Sequence, residues 1–306
     1  MRSSPAVAER VREADRFSRA KDFEASLRNL DAALAASPAS PPPPSGRTGA
    51  PSPPSPGGAL PSDPRSCLLL RRAGALLGGG KWEAAKVACE AAIEEAAEGG
   101  NGPASPKWHA YLAAAHLGLG EVGLAKARCL EALSLDGSLR SARYWLACCW
   151  FKEEDWRRCG EEAGRVLREG PFHWRAWEMR CESRRRMGQW RGVERDCQAA
   201  LKRREGQEGE AGQGGVVSSI WCARAEALLN LGQAKDAEFS GTEAIFFDPS
   251  SLMAHQIRGE ARYQLRKYKL AVADFSEYGR LDRIRREVPF ASPCYSIWNS
   301  NRSRSW

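Results

Sequence analysis

Apolar residues in this chain recur at three- and four-residue intervals, in short runs broken by glycine or by Asp-Pro and Ser-Pro pairs. That spacing places them on one face of successive short helices and predicts no strands. The pattern is clearest across residues 140–202, where two similar segments lie end to end at an offset of 34 residues. Trp156 answers to Trp190, Ala147 to Cys181, Cys159 to Val193, Ala163 to Cys197 and Leu167 to Leu201. Each segment reads as two amphipathic helices with a break before the tryptophan.

The same cadence continues in both directions. Toward the N-terminus, Val11, Ala14 and Phe17 mark one helical face and Phe23, Leu27, Leu30, Ala33 and Leu34 another, until Ser37-Pro38 stops the helix. Leu69, Ala73 and Leu76, then Trp82, Ala85, Cys89 and Ala92, flank the turn at Gly78-Gly79-Gly80. Trp108, Leu112, Ala113 and His116 precede Gly118–Gly120, with Ala125, Cys129 and Ala132 after it. Toward the C-terminus come Trp221, Ala225 and Leu228, Gly232, Ala237 and Ala244, and then Gly259, Tyr263, Tyr268, Ala271 and Phe275. After Leu281 the periodicity fades.

Small residues recur where paired helices must approach: Ala113, Ala147, Cys181, Ala225 and Gly259 on first helices, and Ala125, Cys159, Val193, Ala237 and Ala271 on second helices, followed by Ala132, Ala200 and Ala244. Leu112, Leu146, Trp150, Leu228 and Phe275 are expected to fill the gaps between neighbouring units. A repeat near 34 residues built from two helices resembles the tetratricopeptide repeat (TPR). Unit six carries its pattern as Trp221, Ala225, Leu228, Ala237, Gly241, Ala244 and Pro249. Arg180 and Arg224 replace the pattern's leucine, and Val166 its last small residue in unit four, as in a divergent array. The segment from Arg258 through Tyr268 and Ala271-Val-Ala-Asp-Phe is also similar to the TPR region of DnaJ-type co-chaperones, although no His-Pro-Asp of a J domain is present.

The resemblance implies an all-α, right-handed TPR superhelix of about seven units. The expected layout is a degenerate unit or cap at 1–38, a Pro/Ser/Gly-rich loop at 39–65, units at 66–98, 106–139, 140–173 and 174–204, a Gly/Glu-rich loop at 205–217, units at 218–251 and 252–285, and an irregular basic tail at 286–306. The loop at 39–65 holds Pro41 to Pro44 and Pro51, Pro53 and Pro54, too little apolar surface to order itself, and is expected to be disordered or polyproline II. Its functional alternative is an SH3/WW docking site or proline-directed phosphorylation at Ser37, Ser40, Ser52 and Ser55. The tail lacks the amphipathic helix that usually ends a solenoid, and reads as frayed or as part of an incomplete sequence.

Composition narrows the functions. A formal charge of +8 favours acidic partners by long-range attraction, without choosing among peptides, RNA and anionic membrane. No apolar run reaches the roughly 18–20 residues of a membrane span, and residues 1–10 lack a signal core, so no membrane association is expected and the cytoplasm, with the nucleus possible, is the expected location. The ten cysteines include no C-x-x-C, and Cys89, Cys129, Cys181 and Cys197 fall on repeat positions that want small buried side chains. No metal site, cofactor or catalytic set is expected. His109, His116, His173 and His255 have no nucleophile or paired carboxylate at a diagnostic spacing, and Gly78-Gly79-Gly80-Lys81 lacks P-loop spacing.

Proteins of the resembled family bind an extended peptide or a helix along the concave face formed by first helices. On that face the sequence places Tyr144, Trp145, Cys148, Lys152, Arg175, Met179, Glu182, Arg186 and Glu226, with Cys222, Ile257 and Glu260 beyond: an apolar and aromatic patch flanked by bases, suited to an amphipathic or acidic peptide. Packing between repeats is the competing role for Trp145 and Met179. The Lys/Asn/Asn/Lys/Arg clamp for a chaperone C-terminal carboxylate is missing, since Tyr144, Cys148, Glu178, Met179, Ala223 and Ile257 stand at its positions. The expected function is a non-enzymatic scaffold or adaptor for a partner protein, in a chaperone-associated complex on the narrower likeness. The alternative is a helical-repeat protein binding RNA through its basic surface, against which most tryptophans sit at packing positions and no base-reading pair repeats.

Overall fold

The computed structural model describes residues 5–20, 22–36, 64–98, 104–168, 173–205 and 214–287. Within these residues every regular element is an α-helix, and fourteen helices follow one another as seven helix-turn-helix pairs. They are α1 (Pro5–Arg19) with α2 (Phe23–Ala36), α3 (Pro64–Gly78) with α4 (Trp82–Glu98), α5 (Pro106–Leu119) with α6 (Val122–Leu135), α7 (Arg140–Lys152) with α8 (Trp156–Arg168), α9 (Trp174–Arg186) with α10 (Trp190–Glu205), α11 (Gly214–Asn230) with α12 (Ala234–Phe247), and α13 (Leu252–Gln264) with α14 (Tyr268–Glu287). The fold is an all-α, TPR-like solenoid. Two compact units compose it, residues 1–183 and 184–306, so the first ends within α9.

The turn inside six of the seven pairs, from α3–α4 onward, has one recurring geometry. Gly80, Gly120, Gly188 and Gly232 have φ between 68° and 85°, and Glu154 and Arg266 occupy the same register at φ 60°. At each, the N–H of the next residue donates to the carbonyl five residues back: Lys81 to Leu76, Glu121 to His116, Asp155 to Trp150, Gln189 to Arg184, Gln233 to Leu228 and Lys267 to Arg262, at 2.8–3.0 Å. This satisfies a carbonyl left over at the end of the first helix and reverses the chain within three residues. Between pairs a second device recurs. The Asp136 carboxylate accepts from the Ser138 N–H and hydroxyl, and the Asp248 carboxylate from those of Ser250, an Asx-type turn that delivers the chain to the next first helix.

Packing follows the small-residue positions. Ala113, Ala147, Cys181 and Ala225 on first helices are buried, as are Ala125, Cys159, Val193, Ala237, Ala271, Ala132, Ala200 and Ala244 on second helices. In the first unit α1 touches α3, α3 touches α5 and α5 touches α7; in the second, α11 touches α13. Within each unit first helices thus line one layer, and among the described residues there second helices pack on first helices. Close approach sets residue size there. A Cβ on Gly259 would come 2.9 Å from the Phe275 ring, and one on Gly118 would overlap the Trp82 indole at 2.2 Å.

Several expectations change. Leu112, Leu146 and Leu228 are buried between pairs, but Phe275 is 42% exposed, because no described residue covers its outer side. Trp150 is half-buried, with Lys126 and Arg158 over its ring at 4.5 and 4.7 Å. Helix α3 begins at Pro64 and α11 at Gly214, inside stretches whose composition reads as loop, while α14 persists to Glu287. Pro64 opens its helix without loss, since the first turn needs no N–H donor there. The Pro-rich segment through residue 63 with Ser37, Ser40, Ser52 and Ser55, the Gly/acid stretch 206–213 and the tail 288–306 lie outside the described residues.

Candidate functional site

Helix periodicity explains why the candidate groove residues converge. Tyr144, Cys148 and Lys152 are four residues apart on α7, and Arg175, Met179, Glu182 and Arg186 follow one face of α9. Within the first unit these faces meet. The Cys148 thiol points at the Met179 sulfur at 3.7 Å, and the Tyr144 ring lies 4.6 Å from the His173 imidazole and 4.8 Å, edge-on, from Trp145. The result is a sulfur-aromatic seam along two neighbouring first helices.

Exposure sorts its members. Lys152 and Arg175 are exposed at the rim, whereas Tyr144, Cys148 and Glu182 are half-buried. Met179 is 8% exposed and serves mainly as the floor. Trp145 is half-buried and packs into two apolar clusters, one around Ala110, Ala132 and Ala142, the other around Ala113, Cys129 and Leu146. It therefore works as inter-repeat packing with one edge left open. In the second unit Arg186 is exposed, and Glu226 receives two hydrogen bonds from the Arg185 guanidinium at 2.9 and 3.1 Å. Cys222 and Ile257 are buried and Glu260 is exposed.

The seam's titratable groups are poor reagents for chemistry. Burial pushes the Cys148 thiol up to about 12, against the lowering pull of the Tyr144 hydroxyl, so it stays protonated at neutral pH. Burial likewise raises the Tyr144 phenol, with Cys148 adding to it. His173 is lowered, first by burial and then by Arg140, and its ring lies tilted at 47° against Tyr144. Such a surface offers shape, polarizable sulfur and aromatic faces, with cations at its edge.

Seven of the nine described cysteines are buried, and no cluster of three metal-ligating side chains occurs among the described residues. Sequence reading missed an ion network in the last pair. The Arg258 guanidinium donates to both oxygens of Asp274, at 2.6–3.1 Å, and Arg262 adds a bond of 2.9 Å to the same carboxylate, which is 2% exposed. Arg262 and Lys267 also reach Glu238 at 3.1 and 2.6 Å. The signal was present: Arg224 and Arg258 share a repeat position, and their partners Ser240 and Asp274 each stand sixteen residues on. Also in the second unit, a hollow of about 630 Å³ is lined by Arg184, Trp190, Arg191 and Arg195, with Arg184 already held by Asp196 at 2.6 Å.

Solved structures with this architecture include TPR proteins. The apo form of RapI superposes with a TM-score of 0.64 at 10% identity, covering 90% of this chain and 76% of that one. YrrB, described as a TPR protein with an unusual peptide-binding site, gives 0.52 at 17% identity over 63% of this chain and 91% of its own. MamA from Desulfovibrio magneticus RS-1 gives 0.51 at 16%, over 59% and 96%. No family model and no curated protein matches the chain. At these identities the likeness defines the fold alone, a TPR-like α-solenoid. The narrower likeness to DnaJ-type co-chaperones rests on sequence alone.

Proposed function

We propose that the chain is a non-enzymatic scaffold that takes an extended or helical segment of a partner protein against its first-helix layer. The observation that carries this is the α7–α9 seam, where half-exposed Tyr144, Trp145 and Cys148 lie over Met179 between the exposed cations Lys152 and Arg175. Aromatic and sulfur surface rimmed by bases suits an amphipathic ligand with acidic residues. YrrB, which shares the fold, has a peptide-binding site, and this supports a peptide as the kind of ligand. A chaperone-associated setting is the narrower form of the reading, and without a carboxylate clamp the contact would run through the seam. Seven buried thiols suit a reducing compartment such as the cytoplasm. No helix among the described residues is long and apolar enough to cross a membrane.

The test is recovery of one defined partner on a peptide array or by pulldown, repeated with Tyr144→Ser and Arg175→Glu, which leave Trp145 in its packing role. Binding should fall by about tenfold or more, roughly 1.4 kcal/mol. Unchanged recovery by a variant that melts like the parent would remove the seam from consideration.

One observation favours RNA as the second reading. Arg191, Arg195, Gln198 and Lys202 are all exposed and fall on one face of α10, a ridge able to follow a phosphate backbone. Filter binding across salt concentrations separates the two readings: steep salt dependence at low-micromolar affinity points to RNA.

A further inference from the structure

Helix α14 carries an exposed stripe that its own pair covers only in part. Tyr268, Val272, Phe275 and Gly279 lie within roughly 60° of arc on a helix turning about 100° per residue. The three large side chains are 54%, 63% and 42% exposed, and a Cβ on Gly279 would meet nothing within 4 Å. Tyr263 of α13 extends the patch, edge-on to Tyr268 at 5.6 Å.

The preceding pair indicates what such a face is for. The equivalent positions on α12 are Glu238, Gly241 and Ile245, and all three meet α13. Glu238 accepts from Arg262, Gly241 lies against Arg258, and Ile245 packs on the cluster of Ala254 and Ile257. An arc that on α12 receives a helix thus meets no helix of the described residues on α14.

We propose that this end face docks an amphipathic helix of a partner protein whose polar flank is acidic. Charge selects the occupant. Arg283 lies at the arc's margin and Lys269 roughly 60° beyond its edge, while Arg286 falls on the arc and pairs with Asp282; all three are exposed. Of the acids, Asp282 sits at the opposite margin with its carboxylate taken by Arg286 at 2.7 Å, and Glu277 faces away and is engaged by Arg280. A second copy of the chain would set like charges against each other. The segment 288–306 contains Arg302 and Arg304 but no Asp or Glu, and offers no complement. A foreign acidic helix matches both the apolar stripe and its rim, and Gly279 admits its backbone closely.

The experiment uses the full chain and two fluorescein-labelled peptides of about 20 residues, with leucine at every third or fourth position and either glutamate or lysine elsewhere. The glutamate peptide should bind at least about tenfold more tightly than the lysine peptide, and Val272→Glu or Gly279→Glu should cost about tenfold or more without shifting the thermal melt. Arg283→Glu should narrow the gap between the peptides. The double variant Tyr144→Ser/Arg175→Glu should bind the glutamate peptide like the parent; a loss there would put the peptide on the α7–α9 seam and overturn the proposal. Equal binding of the two peptides, or an unaffected Val272→Glu, would overturn it as well. So would self-association that Val272→Glu abolishes, or tighter peptide binding after removal of residues 288–306, either of which names another occupant.

Discussion

At the scale of single residues, backbone strain and buried charge are the informative terms. Glu154 and Arg266 hold φ 60° where four equivalent turns use glycine. A left-handed conformation costs a side-chain-bearing residue about 1–2 kcal/mol, partly offset by its stiffer unfolded chain. Glu154→Gly and Arg266→Gly should therefore each stabilise the fold by about 0.5–1 kcal/mol, read as a higher urea midpoint at unchanged m-value. Asp274 is the opposite case. Its removal takes away the acid that holds Arg258 and leaves Arg262 with Glu238 alone, and Asp274→Ala should cost about 3 kcal/mol in the same melt. At Glu238, burial raises the carboxyl, but hydrogen bonds from Lys267 and Arg262 outweigh it, and the net shift is downward from 4.5. A carboxyl lowered on folding contributes stability above its unfolded value and loses it as pH falls through the folded one. Melts of the parent should thus weaken below about pH 4.5, and Glu238→Gln should flatten that limb.

At the scale of the helix pair, each element depends on the size of a few side chains at its crossing points. Ala237 is fully buried in the cluster with Leu228 and Ala261, so it touches its own partner helix and the next pair together. Ala237→Glu should cost on the order of 2–4 kcal/mol through overpacking and a buried charge, and a urea melt matching the parent would contradict this packing. These positions were legible in the sequence because a 34-residue spacing repeats them, and averaging over units cancels local noise. Helix ends were less legible. Pro64 and Gly214 belong to breaker-rich composition yet lie in the first turns of α3 and α11, where proline forgoes no hydrogen bond and composition alone misplaces the boundary. The Arg258–Asp274 pair escaped notice because the resemblance expects leucine near that arginine, and the acid that neutralises it lies on the facing helix. For the seam, sequence placed Tyr144, Cys148 and Met179 on one layer; that Met179 is covered and Trp145 half-covered depends on neighbours no periodicity specifies.

At the scale of the whole chain, stability in a stack of this kind sums over pairs and their nearest-neighbour contacts, so damage in one place need not spread. The seven buried thiols make that testable without adding a probe. Cys89, Cys129, Cys149, Cys159, Cys181, Cys197 and Cys222 run from α4 to α11, in effect a native ladder of concealed reporters. Under pulsed alkylation in rising urea, with peptides weighed by mass spectrometry, Cys67 should label first, being partly covered, and Cys148 only as its surroundings loosen, since burial holds its thiol protonated. The seven should then become reactive in groups that follow neighbouring helices, each group marking one cooperative step of opening. Simultaneous labelling of all seven would instead mean that the chain opens as one body. The evenly distributed cysteines that look like disulfide or metal chemistry in composition are thereby a built-in map of how the molecule comes apart.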